Sequence, residues 1–265
     1  MSYEKCQLIN EETKTAPASG AKQPAITVTY DTNPYEQTMK ADWGFATLIT
    51  GTEKTILFDT GGRHLFDRMR RLKIDPNSIE VVVLSHIHGE HIHELSVFLQ
   101  QNPNVTVYLP ESLPEKLKDS ARNYGAKIIG VKGSLQICED VYSTGQLGTV
   151  IKEHSLILRT DKGLVVITGC AHPGIVNVLN TAKDLMQDDI LLVMGGFHEE
   201  NYPLSLEWAT KDRIIEIISE FKQLGVRYVG PCHCAGEHVR SLFKRYFGRK
   251  YISVSTGKIV TLTDL

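Results

Sequence analysis

Histidine is the residue type that first points to chemistry. The chain of 265 residues contains 10 of them, and four (His86, His88, His91 and His93) fall within one stretch of eight residues. Random scatter would put about 0.3 in such a stretch. The run Ser85-His86-Ile87-His88-Gly89-Glu90-His91 directly follows the apolar stretch Val81–Leu84. His86 and His88 are two apart, so in extended backbone both side chains leave on the same side. Gly89 is read as permitting a sharp bend, after which Glu90 and His91 open the next helix beside the same pocket. Three imidazoles and a carboxylate around one strand end suit zinc, iron or manganese. His93, two residues further on, is expected to point away from that pocket.

Three more histidines follow apolar stretches in the same manner. Leu164–Ile167 leads into Thr168-Gly169-Cys170-Ala171-His172-Pro173-Gly174, Ile190–Met194 into Gly195-Gly196-Phe197-His198, and Val226–Val229 into Gly230-Pro231-Cys232-His233-Cys234. Ligand sites in α/β folds gather at strand ends, and glycines there allow close backbone approach. His238 follows at the start of a helix-like stretch, as either a pocket or an exposed residue.

The elements that must position these residues can be read from pattern. Strand-like segments are Ile26–Tyr30, Phe45–Thr50, Thr55–Phe58, Val81–Leu84, Val105–Tyr108, Lys127–Ile129, Leu156–Leu158, Leu164–Ile167, Ile190–Val193 and Tyr228–Val229. Helix-like segments are Arg63–Leu72, His91–Gln100, Pro114–Tyr124, Ile175–Met186, Leu206–Leu224 and His238–Phe247. Short turns between the early strands predict a partly antiparallel sheet. Met1–Pro24 is polar, lacks an apolar core and reads as a flexible lead-in, leaving residues 25–265 as one layered α/β domain. The long segments Asn33–Trp43 and His198–Trp208 are expected either to flank the pocket or to be surface loops.

Composition narrows the partners. Net charge is −2, with 42% hydrophobic residues, so neither nucleic acid nor a membrane surface is expected as main partner. No apolar run is long enough to span a membrane. Five cysteines, an odd number without a disulfide framework, are read as reduced thiols of a cytoplasmic protein. Dinucleotide, P-loop and serine-elbow motifs are absent. Oligomeric state is not readable.

His86-x-His88-x-Glu90-His91 resembles the H-x-H-x-D-H signature of the metallo-β-lactamase fold superfamily, with Glu in place of Asp. Asp59-Thr60-Gly61 resembles its preceding D-T-G element, and His172 and His233 stand where later ligands would be. The strings GCAHPGIVN (Gly169–Asn177), MGGFH (Met194–His198) and PCHCAG (Pro231–Gly236) resemble the branch named for the dihydropterin–ribofuranosylaminobenzene 5'-phosphate synthase of methanopterin biosynthesis. The fold implied is an α/β four-layered αβ/βα sandwich, two mixed sheets packed face to face with helices outside.

The resemblance also implies roles. His86, His88 and His172 would bind one metal, and Glu90, His91 and His233 a second. Asp59 would orient a ligand imidazole by hydrogen bonding. The bridging Asp common in the superfamily is missing from Gly195-Gly196-Phe197-His198, which leaves the second site short of an anion. His198 is read as a proton donor or phosphate contact facing substrate, with a substitute ligand as the alternative, and Glu90 as its partner in proton handling. Cys170, Cys232 and Cys234 are read as buried packing rather than ligands. The cofactor implied is one or two divalent ions, zinc first, with manganese or iron as alternatives. The activity implied is a hydrolase using metal-activated water on a phosphoester, lactone or similar ester of a small anionic substrate. A transferase like the synthase is the runner-up, and an iron redox protein or a non-catalytic metal-binding protein a distant third.

Overall fold

In the computed structural model the described residues are 23–32, 42–198 and 209–265. Nearly all of the lead-in expected over residues 1–24 lies outside them. So do residues 33–41 and 199–208, which make up most of the two long segments expected near the pocket.

The strands assemble into two sheets. One contains β1 (Ala25–Tyr30), β2 (Ala46–Thr50), β3 (Ile56–Phe58), β4 (Val81–Val83), β5 (Thr106–Pro110) and β6 (Lys127–Val131). The other contains β7 (Leu135–Cys138), β8 (Val141–Ser143), β9 (Leu156–Thr160), β10 (Gly163–Thr168), β11 (Ile190–Gly195) and β12 (Tyr228–Pro231), while β13 (Ile259–Thr261) returns to the first sheet. The orders are β13-β1-β2-β3-β4-β5-β6 and β12-β11-β10-β9-β8-β7. β1 to β3 pair antiparallel, as the short turns predict. β3, β4, β5 and β6 run parallel, as do β10, β11 and β12.

Alternation along each strand explains the layering. Ile56, Phe58, Val81 and Val83 point into a core shared with Leu156, Leu158, Val165, Ile167, Leu192 and Met194 of the second sheet. Leu57 and Val82 point the other way, onto Leu65 and Met69 of α1 (Leu65–Arg71) and Phe98 and Leu99 of α3 (Leu95–Gln101). Leu164, Val166, Ile190 and Val193 face α5 (Ile175–Met186), α6 (Lys211–Gln223) and α7 (Glu237–Phe247). The order is therefore helices, sheet, sheet, helices. Val81–Val83 carries no polar residue because both of its faces are covered.

Several boundaries differ from the sequence reading. The helix expected over His91–Gln100 is two helices, α2 (Gly89–Ile92) and α3, broken at His93 and Glu94. β7, β8 and β13, which the sequence reading does not contain, are three or four residues long. α4 (Glu115–Asn123) and α5 fall where expected, and α6 starts within its expected span. Among the described residues no helix is long and apolar enough to cross a membrane.

His154, which no motif singled out, is fully buried beneath the end of β4. Its Nε2–H donates to the Leu84 carbonyl at 2.9 Å, and its Nδ1 stands 2.7 Å from Ser143 Oγ. Its backbone N–H donates to the Ser85 carbonyl at 3.1 Å, so this residue pins the backbone that carries His86. Burial pushes the imidazole down to about 4 from its ordinary 6.5. An unfolded chain takes up that proton first, so stability rises with pH between about 4 and 6.5 and is flat above. A gap of this size corresponds to about 3 kcal/mol. In urea titrations at pH 7 and pH 5, His154→Gln should lose less stability on acidification than the parent, and equal losses would refute this role.

Candidate metal centre

The histidine-bearing turns all leave the C-terminal ends of strands, at one edge of the sandwich. Asp59 follows β3 and Ser85-His86 follows β4, and these strands are parallel neighbours. His172, His198 and His233 follow β10, β11 and β12, which are also parallel neighbours. Face-to-face packing of the sheets brings the two groups together.

Asp59, fully buried, orients the first group. Its Oδ2 lies 2.7 Å from His91 Nδ1. It also accepts from the Ser85 hydroxyl at 2.7 Å, while Oδ1 accepts from the Ser85 backbone N–H at 2.7 Å. With its own hydrogen given to Asp59, Ser85 Oγ accepts from His86 Nδ1 at 2.8 Å. Both imidazoles therefore carry their proton on Nδ1 and turn a lone pair on Nε2 into the pocket. His86 Nε2 is buried without a hydrogen-bond partner. An orphaned buried nitrogen of this kind is costly unless something outside the protein fills its lone pair.

Two ligand trios result. Ligand atoms of His86, His88 and His172 lie within 4.8 Å of one another, as do those of Glu90, His91 and His233. His88 Nδ1 and His172 Nε2 are 3.2 Å apart, and His91 Nε2 and His233 Nε2 are 3.1 Å apart. Two nitrogens bound to one tetrahedral zinc at about 2.0–2.1 Å would lie roughly 3.3 Å apart. The donor set thus fits divalent transition-metal ions. His233 is steered from behind: Thr32 Oγ1 lies 3.1 Å from its Nδ1, and Asp31 Oδ1 accepts its backbone N–H at 2.8 Å.

Glu90 sits at the mouth, its side chain 22% exposed. Burial alone would raise its carboxyl, but a hydrogen bond from its own backbone, His91 and Trp43 outweigh this and hold it below its ordinary value. His198 packs on His172 with ring centroids 4.3 Å apart. Burial, followed by the charge on His172, pushes it down to about 4. It is therefore neutral at pH 7, which favours a hydrogen-bonding or ligating role over that of an ionised proton donor. The Trp43 ring lies 4.7 Å from that of His233, so this end of the expected flanking segment does reach the site. His93 and His238 are exposed and outside the cluster.

Glu153 is a site residue that sequence reasoning missed. Fully buried, it lies before β9, and no ligand motif surrounds it. It accepts backbone N–H bonds from Cys170, Ala171 and His172, each at 2.9 Å, and the Thr168 hydroxyl at 3.1 Å. Burial would raise its carboxyl, but the charge on His172 and these N–H groups hold it below its ordinary value. The carboxylate fixes a strained turn. Ala171 has φ 61°, and Asp59 (φ 59°) and His233 (φ 51°) share this left-handed conformation, which costs an L-residue roughly 1–2 kcal/mol. All three are at the centre, where surrounding hydrogen bonds override the cost.

One expectation changes and another gains detail. Gly89 needs no special backbone: it opens α2 without positive φ, and a Cβ there would meet nothing within 4 Å. Sterics do require glycine at Gly169, where a Cβ would lie 2.2 Å from Ser85 Oγ. The packing role expected of the cysteines describes Cys232, which lies in the core between the sheets. Cys170 and Cys234 are buried as well, and they also belong to the clusters of potential ligand atoms, Cys170 with His86 and His91, and both thiols with His198.

Replacing Glu153 with Gln should remove about 3 kcal/mol of stability, because an NH2 group would face backbone donors, measured by urea denaturation. Gly169→Ala should be strongly destabilising while Gly89→Ala stays within about 1 kcal/mol of the parent. Equal melting temperatures for the two alanine variants would contradict the Ser85 contact.

Comparison with known proteins agrees with this architecture. A curated relative from Methanocaldococcus jannaschii is named 7,8-dihydropterin-6-methyl-4-(beta-D-ribofuranosyl)-aminobenzene-5'-phosphate synthase. It is 25% identical over 257 residues, covering 79% of this chain and 85% of the relative. A solved structure described as a metal-dependent hydrolase of the beta-lactamase superfamily is 27% identical, with a TM-score of 0.73, covering 89% of this chain and 98% of the other. The metallo-beta-lactamase fold protein YhfI from Bacillus subtilis superposes with a TM-score of 0.66 at 16% identity, over 91% of this chain and 99% of its own. The family model described as the metallo-beta-lactamase superfamily matches residues 43–184. That match takes in more than half of the chain and all three residues of the first ligand trio, and with the two-sheet architecture it leads to one assignment: the chain belongs to the metallo-beta-lactamase superfamily.

Proposed function

We propose that the protein is a metal-dependent hydrolase acting on a phosphoester, lactone or similar ester of a small anionic molecule. The observation that carries this reading is the meeting of the two ligand trios around the unpartnered, buried His86 Nε2. The similar structure described as a metal-dependent hydrolase supports it. Zinc is the proposed ion, with manganese and iron sharing its preference for imidazole and carboxylate. His86, His88 and His172 would hold one ion, and Glu90, His91 and His233 a second. When bound, such an ion supplies Lewis-acid chemistry, acidifying water toward neutrality and polarising a phosphoryl or carbonyl oxygen.

The chain's own residues supply the rest. Asp59 is buried behind the imidazoles and touches no substrate, so it is a positioning residue for His91 and, through Ser85, for His86. Glu90, ionised and partly exposed, is placed to accept a proton at the mouth. His198 can offer an N–H to a substrate oxygen. Trp43, half exposed beside His233, gives the mouth a flat apolar wall. A second reading, a transferase, is favoured by the synthase name of the curated relative. The two are separated by assaying a phosphodiester, lactone and thioester panel against transfer from a pterin donor to an arylamine.

Purified protein should carry transition metal, and the His86→Ala/His88→Ala double variant should lose both metal and phosphodiesterase activity. Elemental analysis showing less than about half an equivalent in the parent would sink the metal reading. Activity retained in the double variant would refute the site.

A further inference from the structure

The ligand trios contain five imidazoles and one carboxylate, that of Glu90. Two divalent ions would bring four positive charges into a pocket where His86 and His91 are fully buried. Among the described residues the other carboxylates nearby are committed elsewhere, Asp59 to Ser85 and His91, Glu153 to the amides of the 168–172 turn and Asp31 to the His233 backbone N–H. Charge balance calls for one more anion near the junction of the trios.

Sulfur occupies that position. Cys170 Sγ is 3.3 Å from His91 Nε2, and the residue is 2% exposed. The ligand atoms of Cys170, His86 and His91 lie within 4.8 Å of one another, so this sulfur reaches one imidazole from each trio. A sulfur at about 2.3 Å and a nitrogen at about 2.0–2.1 Å from one tetrahedral zinc would lie roughly 3.5 Å apart. Independently, His86 Nε2, buried and unpartnered, belongs to the same group. The backbone opposite leaves no room for a carboxylate: a Cβ on Gly196 would lie 2.4 Å from Cys234 Sγ and 2.6 Å from the Gly169 carbonyl oxygen. Cys234 groups with Cys170 and His198, and not with His86 or His91.

We propose that Cys170 is a metal ligand linking the two trios, its thiolate supplying the anion that Glu90 alone does not. The thiol proton passes to solvent as the sulfur–metal bond forms, and nothing is oxidised or reduced. The inference rests on the metal-dependent reading above and adds a sulfur ligand to it.

The test uses the full chain loaded with cobalt(II). The parent should bind cobalt and show a near-ultraviolet sulfur-to-cobalt charge-transfer band. Cys170→Ser should lose that band and bind one equivalent at least about 100-fold more weakly, since even partners behind ligands are worth 10–100-fold. Cys234→Ser should keep the band. A band that survives in Cys170→Ser, or vanishes in Cys234→Ser alone, overturns the assignment. A parent that binds cobalt without the band overturns Cys170 but leaves the metal reading standing, whereas a parent that binds no cobalt overturns both. X-ray absorption of the zinc-loaded parent needs no folded variant: a sulfur scatterer at about 2.3 Å is expected, and a shell of nitrogen and oxygen alone refutes the proposal.

Discussion

The centre depends on the buried carboxylate of Asp59. It takes a backbone N–H and a hydroxyl from Ser85 and a ring N–H from His91, and through Ser85 it also sets the proton position on His86. A fully buried carboxylate is tolerated only when its oxygens are filled this completely. That condition ties the end of β3, the end of β4 and the start of α2 into one unit. Once those bonds are made, two imidazoles have no free choice of tautomer, and their lone pairs converge on one space.

The second sheet contributes by a similar device built on a different residue. Glu153 gathers the N–H groups of the turn after β10, so that Ala171 stays in a left-handed conformation and His172 reaches across to His88. Asp31 and Thr32 do the same for His233 after β12. The ligating groups are mostly imidazoles, whereas the anions behind them are carboxylates already satisfied by the protein. This division keeps the pocket receptive to cations without leaving a bare buried charge when it is apo.

The thiols extend this picture. At the turn after β11 the chain has Gly196, and the space beside it is taken by Cys234 and the backbone of residues 169 and 170. Sulfur is large and polarizable, and it fills volume that a carboxylate could not enter from that strand. The neighbourhood of His91 is thereby packed and given a potential anion at the same time.

Much of this was legible in the primary structure. Val81–Leu84 followed by His86-x-His88-x-Glu90-His91, and the Gly-rich turns carrying His172, His198 and His233, placed the site residues at strand ends because period-two and period-3.6 patterns are local. The helix over Ile175–Met186 was readable for the same reason, its apolar spacing being complete within the segment. The short strands β7, β8 and β13 were not, since three or four residues carry too little pattern and exist only because neighbours pair with them. Sequence alone therefore determined which histidines stand at the strand ends and on which kind of element each sits. Only the tertiary structure decided that Glu153 and His154 brace the site, that Gly169 rather than Gly89 is sterically required, and that Cys170 faces the imidazoles while Cys232 is buried in the core. The reason is physical: hydrogen bonds and close contacts between residues tens of positions apart arise from how two sheets pack, and no local pattern encodes that packing.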